Sequence, residues 1–126
     1  MTITAIEQNT WVDVCHEDDL IDQSGVCVLL PTPQASAEYC QVALFYFAQL
    51  KVVYAIDNYD PFGQANVLYR GIVGSIGDEL MVASPLYKQH FSLTTGLCFE
   101  DKTHIIPVYE TKIVDGVVYL RRPSVE

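Results

Sequence analysis

The chain has 126 residues, half of them hydrophobic and 18% charged, which excludes a disordered polymer and predicts a single folded domain over 1–126 whose core needs neither disulfides nor a metal. The formal charge of −9, from 16 acidic against 7 basic residues, excludes nucleic acid and anionic membranes as partners and favours a basic protein surface. No apolar run reaches the roughly 20 residues of a membrane helix, and MTITAIEQNT lacks the basic-then-apolar build of a secretory signal, so the expected location is the cytoplasm.

Alternation predicts a first strand over 11–15, followed by the polar turn HEDDLIDQSG, with room for one helical turn, closed by Gly25. A buried strand is expected over 26–30. The two prolines of PTPQASAE stop pairing, and a longer aromatic-rich strand runs over 39–47. The chain turns at 48–51 and pairs back over 52–57 as a hairpin. The stretch 58–75 holds three glycines and little alternation. It reads as mostly irregular, with a short extended piece at 66–69. Strands follow over 79–84, ended by Pro85, and over 89–93, with a turn at 94–96. A strand over 105–110 tolerates Pro107 if it lies at a sheet edge. Asp115-Gly116 between 111–114 and 117–120 is a type I′ hairpin signal. The termini, 1–10 and 121–126, read as loose. Many short strands between turn signals predict an all-β fold, a small antiparallel sandwich or barrel.

Cys15, Cys27, Cys40 and Cys98 form no Cys-X-X-Cys pair and sit beside apolar residues, which predicts reduced, mostly buried thiols. With His16, His90 and His104 equally scattered, they offer no zinc-ligand set. No GxGxxG loop is present to bind a dinucleotide.

Two stretches share one layout. In AIDNYDPFG and in VASPLYKQHFSLTTG, a strand ends on a small or acidic residue, then Pro, then an aromatic within two positions. This layout resembles the Rieske fold, in which Cys-Pro-His and Cys-Pro-X-His loops clamp a 2Fe–2S cluster. The resemblance places the two cysteine positions on Asp60 and Ser84 and the two histidine positions on Phe62 and Tyr87. None of the four is a Rieske ligand. A phenyl ring cannot coordinate iron, and Asp, Ser and Tyr oxygens are hard donors ill suited to an iron–sulfur cluster. The expectation is therefore a Rieske-like fold with two cluster-free loops, 58–98 forming the part that resembles a cluster subdomain.

The longer patterns AIDNYDPFGQANVLYRGIVG, ELMVASPLYKQHFSLTTGLCFED and YETKIVDGVVYL resemble the small-subunit family of cytoplasmic NAD(P)H-dependent nitrite reductases, over 11–120. The chain departs from that pattern in a longer PTPQASAEYCQ insertion, expected on a surface loop. The resemblance implies a subunit that binds no cofactor. FAD, sirohaem, a 4Fe–4S cluster and NAD(P)H are implied in a large-subunit partner that reduces nitrite to ammonia. The alternatives are a Rieske-type ferredoxin-like electron carrier or an accessory module of another oxidoreductase.

Two readings stay open for Phe62 and Tyr87: rings that plug the vacated cluster volume, or an aromatic tip that docks on the large subunit. Lys88 and His90 read either as a plain surface strand or as a positive spot beside that tip. Asp60 reads as a turn-former whose carboxylate accepts backbone N–H groups, since no acid–base partner stands near it in sequence. Ser84 lacks the surroundings of a hydrolase nucleophile. The runs Glu17-Asp18-Asp19 and Glu100-Asp101 read as solvated faces, and Arg121-Arg122 as solvating charge.

Overall fold

The aromatic run at 39–47 becomes the central strand of the protein, β3 (Tyr39–Phe47), which turns back into β4 (Val52–Asp57) at the bounds the pattern predicts. The computed structural model describes residues 11–31 and 39–122. The expected loop at 32–38, which holds most of the insertion, and the expected loose ends at 1–10 and 123–126 lie outside the described residues. In chain order the other strands are β1 (Val12–His16), β2 (Gly25–Pro31), β5 (Tyr59–Asp60), β6 (Ala65–Asn66), β7 (Ile72–Ile76), β8 (Glu79–Ala83), β9 (His90–Ser92), β10 (Val108–Val114) and β11 (Val117–Arg121). The only helical pieces among the described residues are 3-10 turns at Glu17–Asp19 and Leu68–Arg70.

Six strands form one antiparallel sheet in the order β1-β11-β10-β4-β3-β2, whose ends curl towards each other into a nearly closed barrel. The all-β expectation holds. Leu30, Val42, Leu44, Tyr46, Val53, Ala55, Val118 and Leu120 fill the barrel. The alternate residues of β3, Ala43, Phe45 and Phe47, point the other way. They pack with Leu68, Val82, Phe91, Leu93, Cys98 and Ile106 into a second core beneath a three-stranded sheet, β7-β8-β9. This is why 42–47 reads as an unbroken apolar run and not as alternation: both faces of β3 are buried. Each fully buried side chain of this size contributes about 1.5–3 kcal/mol.

Asp115 and Gly116 both adopt positive φ, 51° and 82°, so the predicted type I′ turn joins β10 to β11. Several expectations are corrected. The strand expected to be buried at 26–30 is β2, at the end of the sheet; Leu30 is buried but Leu29 is 56% exposed. The strand expected at 105–110 begins only at Val108 and runs on to Val114, inside the sheet between β4 and β11. Pro107 stands just before it, where it needs no N–H, and its carbonyl accepts the Asp57 N–H at 2.9 Å. Position 84 lies beyond β8, and Arg121 belongs to β11, paired to Glu110 at 2.5 Å. Of the four thiols, all free, only Cys98 is buried; Cys15 and Cys40 are half-buried and Cys27 is exposed.

The stretch 58–75 is more ordered than its composition suggests. Asn58 is fully buried. Its carbonyl accepts Leu68 N–H at 3.1 Å, its Oδ1 accepts Tyr69 N–H at 2.8 Å, and its Nδ2 donates to Gln41 Oε1 at 3.0 Å. Asn58 therefore pins a 3-10 turn whose first two residues, Leu68 and Tyr69, fall in the piece expected to be extended at 66–69, while Asn66 is extended in β6. β7 follows, closed onto β8 by Gly77, whose φ of +61° suits the first central position of a type II′ turn.

Candidate functional site

The two Pro-containing loops meet at one end of the molecule. In the first, β5 and β6 form a minimal ladder, Tyr59 opposite Asn66 and Asp60 opposite Ala65. Asp60 is fully buried. Its Oδ1 accepts the Phe62 N–H at 2.8 Å and the Gly63 N–H at 3.1 Å, while its carbonyl accepts the Gln64 N–H at 2.7 Å. The turn-forming reading of Asp60 accounts for these bonds.

In the second loop the Ser84 N–H donates to the Gln89 carbonyl at 2.9 Å, and Ser84 Oγ accepts the Leu86 N–H at 3.2 Å. Lys88 takes positive φ, 66°, to complete the reversal. The loops are joined directly: Ser84 Oγ donates a hydrogen bond to Asp60 Oδ2, both groups buried. Charge-assisted bonds of this kind are among the stronger ones a protein makes. Gly63 permits the approach, since a Cβ there would collide with the Leu86 side chain and sit 3.2 Å from Asp60 Oδ2.

The aromatic pair divides. Phe62 turns inward against the second core, its ring centroid 6.2 Å from Phe91 and 4.5 Å from His104. Tyr87 turns outward and is 66% exposed, beside exposed Leu86 and Lys88. His90 lies apart from this tip, at the start of β9. Its backbone N–H donates to Glu100 Oε1 at 2.8 Å and its ring nitrogen pairs with Glu100 Oε2. Desolvation works to raise the Glu100 carboxyl, but the His90 backbone and ring outweigh it and hold the group below its usual range.

Sequence reasoning had each side chain but not the Asp60–Ser84 bond, which links residues 24 apart and leaves no local pattern. It also passed over Leu86 and Tyr59, which stand 45% and 40% exposed at the same end. A charge pattern could have marked the surface: between Asp57 and Asp78 the only acid is the buried Asp60, and between Glu79 and Glu100 there is none. On a chain of net charge −9, both loops offer solvent no carboxylate of their own.

As a donor set for iron and sulfide the site is poor. Phe62 has no lone pair, the Asp60 carboxylate is already committed to three donors, and the Ser84 hydroxyl is bonded to that carboxylate. Among the described residues no group of three or more His, Cys, Asp or Glu is arranged to hold a metal ion, and no helix is long and apolar enough to cross a membrane.

Residues 10–121 match the Rieske-like [2Fe-2S] domain family. Over 111 residues the chain is 44% identical to the nitrite reductase (NADH) small subunit of Escherichia coli (strain K12), covering 88% of this chain and 96% of that one. It superposes on the solution structure of the E. coli protein NirD with a TM-score of 0.78 at 43% identity, over 91% of this chain and 98% of that one. It is also 34% identical to a stretch of the nitrite reductase [NAD(P)H] large subunit of Klebsiella oxytoca, over 92% of this chain and 11% of that one. The ferredoxin of carbazole 1,9a-dioxygenase from Nocardioides aromaticivorans gives a TM-score of 0.70 at 18% identity, covering 91% of this chain and all of that one; this likeness concerns the fold alone.

Proposed function

The chain belongs to the Rieske-like [2Fe-2S] domain family and, within it, to the nitrite reductase small subunits, and from that premise we propose that it serves as the small subunit of an NAD(P)H-dependent nitrite reductase and holds no cluster of its own. The carrying observation is the match to a nitrite reductase small subunit along nearly its whole length. The Klebsiella large subunit adds weight, because a segment resembling this chain lies there within the large polypeptide. Such a segment stays beside the rest of its chain at high effective concentration.

On this reading the chain is one cytoplasmic domain, and the electron path lies in the large subunit, through FAD, sirohaem and a 4Fe–4S cluster fed by NAD(P)H. By the resemblance to Cys-Pro-His and Cys-Pro-X-His loops, Asp60, Ser84 and Phe62 stand at cluster-ligand positions, and their bonding to each other and packing inward supports the cluster-free reading. We assign the contact with the large subunit to the tip: Tyr87 and Lys88 face solvent and Phe62 supports the first loop from beneath, while His90, held by Glu100 at the start of β9, is the outlying member of the set. An exposed tyrosine among apolar neighbours, on loops free of exposed carboxylates, is a suitable anchor.

The experiment is affinity capture of the tagged chain from cells grown on nitrate, with an absorbance spectrum and iron and acid-labile sulfide analysis. The expected result is a large partner with flavin and sirohaem bands, and a small chain that, once separated, carries neither iron nor sulfide. Near one cluster per small chain would overturn the cluster-free reading and favour the electron carrier. Capture of the chain with no coloured partner would overturn the subunit assignment.

A further inference from the structure

β7 has a free edge. It pairs with β8 on one side and, among the described residues, with nothing on the other. The backbone groups left over can be named. The two-residue turn Gly77-Asp78 makes Ile76 and Glu79 the hydrogen-bonded closing pair of the hairpin, so Ile76, Gly74 and Ile72 direct their N–H and C=O groups at β8. The alternation in β8 agrees: the Leu80 carbonyl is used on the opposite side, by the Leu93 N–H at 3.0 Å. Val73 and Ser75 therefore direct their N–H and C=O groups outward.

This edge lacks the usual protections. Ile72-Val-Gly-Ser-Ile76 contains no charge and no proline, and natural edges are commonly guarded by one or the other. Ile72 is 76% exposed and Ile76 is 45% exposed.

The edge is also complementary to itself. Laid antiparallel on a second copy with Gly74 at the dyad, it sets Val73 against Ser75 of the second copy as a hydrogen-bonded pair, and the reverse. Every outward N–H and C=O finds a partner. Ile72 then stands opposite Ile76 of the second copy in the closer, non-hydrogen-bonded register. Nothing crowds the dyad, because the space a Cβ would fill at Gly74 is open apart from Met81 Cε at 3.5 Å. The same register carries Arg70 towards Asp78 of the second copy at both ends. Within one chain neither residue meets an opposite charge among the described residues, and the Arg70 guanidinium rests over its own Tyr69 ring.

We propose that β7 is a self-association edge through which two copies of this chain join their three-stranded sheets into one continuous antiparallel sheet, with an isologous two-fold contact. The proposal is independent of the nitrite reductase reading.

The test is sedimentation equilibrium of the full chain with amide hydrogen exchange followed by NMR. A contact this small lies below the ~1,200 Å² of stable interfaces, so the expected Kd is of order 100 µM, read across about 10 µM to 1 mM. As concentration rises, the Val73 and Ser75 amides should gain protection while those of Ile72, Gly74 and Ile76, already held by β8, should not change. Ile72→Lys with Ile76→Lys should weaken association at least ~10-fold, since lysine on an edge opposes pairing. Arg70→Asp should weaken it about 2–5-fold, and Arg70→Asp with Asp78→Arg should restore it. The proposal is overturned by a monomer throughout the range. It is equally overturned by a dimer that ignores these substitutions, or by Val73 and Ser75 amides that become protected only when a large subunit is added.

Discussion

Replacing Ser84 with alanine removes the hydroxyl that joins the two loops while leaving the backbone free to hold its course. The bond lost is one to a fully buried carboxylate, a class worth about 1.5–3 kcal/mol. The Leu86 N–H also loses its acceptor, but Leu86 is exposed and water replaces it cheaply. The expected cost is about 2 kcal/mol, which for a chain of 126 residues lowers Tm by roughly 6–10 °C. Asp60→Ala should cost more, about 4 kcal/mol, because the Phe62 and Gly63 N–H groups lose an acceptor at about 1 kcal/mol apiece and the Ser84 bond, worth about 2 kcal/mol, is lost as well. Urea unfolding of the wild type, both single variants and the double variant closes a cycle. The double variant should be little worse than Asp60→Ala, giving a coupling energy of about 1.5 kcal/mol. A Ser84→Ala cost below about 0.5 kcal/mol, or strictly additive effects, would refute the idea that this bond fastens the loops.

Phe62→Ala should lower stability by about 2–3 kcal/mol, less than for a fully buried ring, as read by urea unfolding. Tyr87→Ala should leave Tm unchanged and weaken capture of the large subunit by about 10–100-fold, as read by titration calorimetry. Burial raises the Asp57 carboxyl above its ordinary value of 3.8, against a smaller opposing pull from the Asn58 N–H. A carboxyl raised on folding contributes stability that is complete below its unfolded value and is lost as pH rises through the folded one. Asp57→Asn should therefore stabilise the protein at neutral pH and remove that part of the pH slope, as measured by unfolding at pH 4 and pH 7.

What could be read from the sequence was what short-range chemistry decides. The Asp115-Gly116 hairpin needs only two residues able to take positive φ, and β3 with β4 needs only an apolar run, a turn and a second run. β7 was missed because Gly74 and Ser75 dilute its alternation and because its start depends on Asn58, whose partners lie at Gln41 and Tyr69. The burial of β2 was overstated because an apolar run gives no sign of its place in the sheet order. At the site, the Pro-containing loops and their four special positions were legible one by one. Their joining was not, since an Asp and a Ser at such separation carry no mark of being neighbours. The division of labour between Phe62 and Tyr87 was equally hidden, because which ring turns inward is settled by Phe91 and His104 from other segments.

The two-sided burial of β3 has a consequence for how the molecule comes apart. The barrel and the three-stranded sheet have separate cores, yet each is walled by the same six residues, Val42 to Phe47, taken alternately. Neither layer can melt alone without exposing one whole face of the strand that the other layer needs. Partial opening is therefore expensive, and heat or denaturant should take both layers in one cooperative step.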